Sequence, residues 1–203
     1  MQSQANEATS NKLIIVHGLP GSGKSTLSQY LAQKRGLRYI ILSTDDIVST
    51  IIYNIDFDTY NNQVSVTNDV YLWSMESTGA SHFVNRSKCK QACIKKIPTI
   101  VIDNTNLTWE ECYPYCQTAL DHGYEVEFHE PTTEWANDIE ECFKRNKHGV
   151  PMETLEKMMK KKQPLAYLML RFAYLKRFGP PEQTLWDKFK TFWNKWATFK
   201  QRY

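Results

Sequence analysis

The chain has 203 residues, 41% of them hydrophobic and 23% charged, with a formal net charge of +3; this is a size for one main domain with an adequate core. No apolar run is long enough to cross a membrane. Five cysteines form an odd count without disulfide-framework spacing, which argues against a disulfide-stapled scaffold and points to a reducing, intracellular compartment, cytoplasmic or nuclear.

Residues 1–11, "MQSQANEATSN", are polar and lack the charged-then-apolar build of a signal peptide, so a disordered tail is expected. The apolar run Lys12–His17 predicts a strand, and "GLPGSGKST", Gly18 to Thr26, follows it. Gly18, Gly23, Lys24 and Ser25 fit the phosphate-loop pattern G-x-x-x-x-G-K-[ST]. Glycine lets the backbone approach a ligand closely, and loop N–H groups at the start of the predicted helix Lys24–Lys34 cradle anionic phosphate. Gly18, Gly21, Ser22, Gly23, Lys24, Ser25 and Thr26 are therefore the candidate nucleotide-binding residues. Lys24 is placed to reach the outer phosphates of ATP, and the Ser25 hydroxyl to hold Mg²⁺.

Three further short strands are predicted, Tyr39–Ser43, Thr99–Asp103 and Glu125–His129, each rich in apolar or β-branched residues and bounded by polar ones. Helical patterns lie between them, a long one around Val70–Lys96 and another over Trp109–Asp121. This alternation predicts an α/β fold of the P-loop NTPase or kinase kind: right-handed βαβ units, a mostly parallel sheet and flanking helices. Ligands on such sheets bind beyond the carboxyl ends of the strands. The residues there are the phosphate loop, "STDD" (Ser43–Asp46), "DNTN" (Asp103–Asn106) and "EPTTEW" (Glu130–Trp135).

Residues 133–147 and 151–162 read as helices separated by "HGVP", with Gly149 suited to a helix end and Pro151 to the first turn of the next helix. The apolar segment 164–178 is followed by the breaker "GPPEQ". Residues 184–203 carry Leu185, Phe189, Phe192, Trp193, Trp196 and Phe199 at helical spacing with lysines between, an amphipathic helix. Such a stripe either docks on the domain or serves a base, a membrane surface or a protein partner. Cys89/Cys93 and Cys112/Cys116 are one helical turn apart, a spacing that suits half-buried helix positions better than zinc. From Lys144 onward 15 Lys/Arg stand against 4 Asp/Glu, whereas the first 143 residues hold 10 against 18. A basic C-terminal part suits a polyanion, or is simply a solvated lysine face.

A phosphoryl acceptor needs a group that orients it and takes its proton. Asp45 and Asp46 follow the second strand, where an acceptor would meet the γ-phosphate; the same "STDD" also suits a helix N-cap. "TIVIDN" ends in a Walker-B-like acid, Asp103, which would help Ser25 hold Mg²⁺. No N-K-x-D base-selectivity motif is present, which favours an ATP-using kinase over a GTPase.

"GLPGSGKST", "LSTDD", "VIDNTNLTWEE", "YEVEFHEP" and "RNKHGVPMETLEKM", in this order and spacing, resemble the polynucleotide 5′-hydroxyl kinase family of P-loop kinases. The resemblance is nearest to the Nedd-four-binding-protein-2-like group and more distant to the bacteriophage polynucleotide kinase domain. It covers about residues 12–162, a kinase domain with a lid region over 133–150, and leaves 163–203 as a helical C-terminal extension. It implies ATP-dependent, Mg²⁺-assisted transfer of the γ-phosphoryl group to a 5′-hydroxyl of DNA or RNA, with nucleic acid 5′ ends as substrate. Asp45 matches the general base, Lys24 and Ser25 the phosphate and Mg²⁺ contacts, and Arg145 a lid arginine that clamps donor phosphates. Asp46, Thr105 and Asn106 fall near the acceptor. Two departures stand out: Val48 occupies the position of an acceptor-binding arginine, and only Lys147 and His148 stand near that of a second lid arginine. Arg38, Arg86 and Lys88 are candidate replacements for the missing charge. The alternatives are a small-molecule kinase on the same scaffold, which needs an enclosed acceptor pocket, and a nucleotide-binding interaction module with little turnover.

Overall fold

The computed structural model describes residues 10–35, 38–44 and 75–180, with side chains of the long helix described from Ser81 onward. Asp45, Asp46 and Val48, residues 1–9 of the expected tail and the aromatic stretch 184–203 lie outside the described residues. Four strands form one sheet in the order β2-β3-β1-β4, with β1 at Lys12–Val16, β2 at Tyr39–Leu42, β3 at Thr99–Asp103 and β4 at Glu125–His129. All three pairings are parallel. The register sets Val16 level with Asp103 on one side and His129 on the other.

The strands form because their β-branched runs suit burial on both faces. β3, Thr-Ile-Val-Ile-Asp, is buried at every position and β1 at all but its first, as expected for inner strands of a parallel sheet. Alternation divides the side chains. Ile14, Val16, Val101 and Ile41 pack with Leu27, Leu31 and Ala32 of α1, Lys24–Lys34. Leu13, Ile15, Ile100 and Ile102 take the opposite face. There α2, Met75–Ile94, packs on β2, β3 and α3, Trp109–Asp121.

The chain leaves β1 toward β2 and leaves β3 toward β4, so the loops after the adjacent strands β1 and β3 diverge. A crevice opens between their carboxyl ends, the place where such sheets bind ligands.

Beyond β4 the chain is helical over α4, Ile139–Arg145, α5, Met152–Lys161, and α6, Leu165–Phe178. One helix over 133–147 was expected. Instead Asp138 caps α4 by accepting from the Glu141 amide at 3.0 Å, and the preceding residues form a turn whose side chains bind the phosphate loop. Pro151 is the N-cap of α5 rather than a residue of its first turn. The four paired cysteines are fully buried rather than half-buried, and all five thiols are free. Among the described residues no group of three or more His, Cys, Asp or Glu is arranged to hold a metal ion, and no helix is long and apolar enough to cross a membrane. The chain divides into two compact units, Met1–Leu168 and Met169–Tyr203. In the second, the described residues continue α6 to Phe178, where the Tyr174 and Phe178 rings lie 4.9 Å apart and tilted by 43°.

Candidate active site

The loop after β1 is anchored at both sides. The Gly18 amide donates to Thr105 O at 2.9 Å and the His17 amide to His129 O at 2.8 Å. Gly23 is the N-cap of α1 with φ 102 and supplies no capping side chain. The first amides of α1, which have no acceptor within the helix, thus open onto the loop. Lys24, first in that helix, donates from Nζ to Leu19 O at 2.8 Å, which keeps its ammonium at the loop. The Ser22 hydroxyl is buried with no hydrogen-bond partner among the described residues.

A cleft of about 440 Å³ lies over the carboxyl ends of β1, β2 and β3. Gly21, Gly23, Lys24, Ser25 and Thr26 line it from the loop, Asp103, Asn104 and Thr105 from the end of β3, and Thr44 from the end of β2. Trp135, Arg145, Lys147 and His148 close it from the expected lid region, Glu111 and Lys161 from α3 and α5, and His82 from α2. An oxygen donor set of one hydroxyl, Ser25, and one carboxylate, Asp103, fits Mg²⁺ bound together with nucleotide phosphates.

Side chains of the segment after β4 rest directly on the loop. Thr133 Oγ1 donates to Ser22 O at 3.0 Å, and the Trp135 indole to Gly21 O at 3.3 Å. The Arg145 guanidinium lies 4.2 Å from the Trp135 ring centre and donates to Glu141 Oε2 at 3.0 Å. Lys144 first and Arg145 second hold the Glu141 carboxyl below its ordinary range. This cation–π contact with Trp135 restrains the Arg145 guanidinium where it lines the cleft.

Opposite, a polar network fixes the ends of β2 and β3. Asn104 Nδ2 and Asn85 Nδ2 donate to the Tyr115 hydroxyl at 3.3 and 3.4 Å. Burial is the main reason that this phenol is pushed up to about 12, so it stays neutral. Under the loop, wholly buried His17 has Nδ1 3.4 Å from Glu130 Oε2, which also lies 3.5 Å from Lys162 Nζ. Burial and then the Lys162 charge lower the pKa of this imidazole, against the pull of Glu130.

Residues 13–165 match the family AAA_33, described as "AAA domain". The chain belongs to this AAA_33 family. Over 147 residues the AAA_33 domain is 37% identical to human NEDD4-binding protein 2; the match spans 72% of this chain and 7% of that protein's length. The fold is also that of a chain in the Pnkp1/Rnl/Hen1 RNA repair complex, with TM-score 0.54 and 19% identity over 84% of this chain and 49% of that one. Kti12 of Chaetomium thermophilum, solved with ADP-AlF3, matches with TM-score 0.50 and 17% identity over 75% of this chain and 80% of that one. The AAA_33 domain is thus a P-loop kinase-like domain, a family that implies ATP binding.

Within the AAA_33 domain the cleft brings together Gly21, Gly23, Lys24, Ser25, Thr26, Asp103, Thr105 and Arg145. Gly18 and Ser22 belong to the loop without lining the cleft. Asn106 does not line it either: its side chain is buried and donates to Val16 O at 2.7 Å and Ile102 O at 3.3 Å. Expected beside the acceptor, it instead ties β1 to β3 beneath the cleft floor. Sequence reasoning had not singled out Thr44, Asn104, Trp135 or His82. The first three stand in the stretches that follow strand ends, which was a sufficient signal; His82 lies inside a helix and carried none.

Proposed function

We propose that this AAA_33 domain transfers the γ-phosphoryl group of ATP to the 5′-hydroxyl of a DNA or RNA strand. The observation that carries the reading is the composition of the cleft. A phosphate loop with Lys24 and Ser25 and a buried Asp103 share it with Thr44, the residue before Asp45, and its described lining has six cationic or imidazole side chains against two acids. A donor triphosphate and a strand phosphate both suit such a surface. The similarity to NEDD4-binding protein 2 and the shared fold with a chain of an RNA repair complex support the same reading.

In this reading Lys24 and the loop amides hold the outer phosphates, and Ser25 and Asp103 hold Mg²⁺. When bound, that ion neutralises charge on the transferred group. Asp45 orients the 5′-hydroxyl and accepts its proton. Arg145, held over the Trp135 ring, offsets the charge that develops on the phosphoryl oxygens.

Labelled ATP with Mg²⁺ and a 5′-hydroxyl oligonucleotide, DNA and RNA separately, tests this directly. Label should pass to the strand, and Asp45→Asn and Lys24→Ala should each lower transfer by at least ~10²-fold. Asp45→Asn should still bind ATP. Retained ATP binding without transfer to any oligonucleotide by the wild-type protein would overturn the proposal.

A further inference from the structure

His82, Arg86 and Lys90 recur every fourth residue along α2 and so share one flank of it. The neighbouring stripe, Ser81, Asn85 and Cys89, is buried, and Asn85 Nδ2 donates to Leu42 O at 3.4 Å, which seats α2 against the end of β2. His82 lines the cleft, whereas Arg86 and Lys90 are exposed. Because β2 and β3 are parallel, the connecting helix runs back against them. Going from His82 to Arg86 to Lys90 therefore leads away from the carboxyl edge, about 6 Å per step at the rise of an α-helix. The three form a row that starts inside the cleft and continues outside it.

Residues 81–96 contain five Lys/Arg and no Asp or Glu. Arg86 and Lys90 have no ion-pair partner among the described residues. Phe83, next to His82, is 71% exposed, an unusual outlay of apolar area beside a polar rim. On the donor side the cleft has Lys24, Arg145 and Lys147. From α2, which packs on β2 where the proposed acceptor belongs, His82 is the basic side chain that lines the cleft.

We infer that this flank of α2 is the track for a single-stranded nucleic acid: His82 meets the phosphate next to the reacting nucleoside, Arg86 and Lys90 the following phosphates, and Phe83 stacks a base. The inference rests on the reading of a polynucleotide acceptor. A regularly charged polymer matches a row of basic side chains extending beyond the pocket. A small acceptor would touch His82 alone. Exposed aromatics with interspersed cations are how sequence-tolerant single-strand surfaces are built.

The test is fluorescence anisotropy of a 3′-labelled 12-nucleotide 5′-hydroxyl strand with the full chain, at several salt concentrations and without ATP. Arg86→Glu/Lys90→Glu should weaken binding at least ~10-fold and lower the log–log salt slope by about 1.4, near 0.7 for each lost phosphate contact. Phe83→Ala should weaken it about 5-fold or more, the low end for one stacked base. Lys34→Glu on α1, an equal charge change per site, should leave binding unaltered, and a fluorescent ATP analogue should bind all variants alike. Equal strand affinity for the double variant and the wild type, or no strand binding by the wild type, would overturn the track. Transfer is read separately. A strand held along α2 but never phosphorylated leaves the track standing and removes the acceptor role; undiminished transfer in the double variant does the reverse.

Discussion

Asn104 Oδ1 accepts two hydrogen bonds from Thr44, one from its amide at 2.9 Å and one from its hydroxyl at 3.1 Å. The end of β3 therefore holds the end of β2 one residue before Asp45. Asn104 Nδ2 donates to Tyr115, so the clamp is itself braced from α3. If Asp45 is the base, Asn104 is its positioning residue. Asn104→Ala is expected to lower kcat for strand phosphorylation about 10- to 100-fold, the range for a misplaced catalytic group, while ATP affinity stays unchanged. A parallel loss of ATP affinity would instead mark Asn104 as a general brace of the domain.

Gly21 sits with φ 79, and a Cβ built on it would lie 2.0 Å from Cys142 O in α4. The backbones of the loop and of α4 are thus in direct contact, with no space for a side chain. Gly21→Ala should lower Tm by several degrees and weaken ATP binding at least ~10-fold, as overpacking combined with backbone strain does. Gly123→Ala is the matched control. It has a similar φ of 75 but nothing within 4 Å, so it carries the strain without the collision. Equal effects of the two variants would show that the contact with α4 is unimportant.

The strands and the phosphate loop were legible because their signals are local. A run such as Thr-Ile-Val-Ile-Asp, bounded by polar residues, suits one kind of element, and the Lys24-Ser25 pair after Gly23 suits one kind of ligand. The helix predicted over 133–147 was not resolved correctly, because its first turn competes with long-range bonds. Thr133 and Trp135 reach 111 and 114 residues back to the loop carbonyls, and no local pattern encodes that. Asn106 misled for a related reason. An amide beside strand-end acids reads as a ligand contact, but its positive φ of 46 turns it under the floor, onto Val16 O. His82 was invisible because its value comes from α2 packing on β2, a tertiary fact.

Arg145 over Trp135 separates a clamp from a surface charge. A lysine keeps the charge but neither the planar fork nor the stacking. Arg145→Lys is expected to retain less than about a tenth of wild-type kcat, and Arg145→Ala about a hundredth or less, with the fold intact by circular dichroism. Trp135→Ala should follow Arg145→Lys, since it frees the guanidinium from its support. Full activity in Arg145→Lys would show that a point charge suffices and that the stack on Trp135 has no part in transfer.

His17 gives the pH dependence of stability. Burial foremost, and the Lys162 charge after it, set the folded pKa of this imidazole below its ordinary 6.5. In the interval between the folded and unfolded values the unfolded chain binds the extra proton, so stability rises with pH there. The contribution is complete above about 6.5 and is lost as pH falls toward the folded pKa. For one proton the slope is at most about 1.4 kcal/mol per pH unit. The Glu127 carboxyl is also displaced: burial raises it, but His129, Arg35 and Lys12 together hold it below its ordinary 4.5. Its window lies under 4.5 and does not overlap the first part of the His17 window. Urea unfolding between pH 7.5 and 5.5 should show the wild type losing stability while His17→Gln, which cannot titrate there, follows a flatter line. Equal slopes would mean that protonated His17 is accommodated in the folded state, with Glu130 at 3.4 Å outweighing both burial and Lys162.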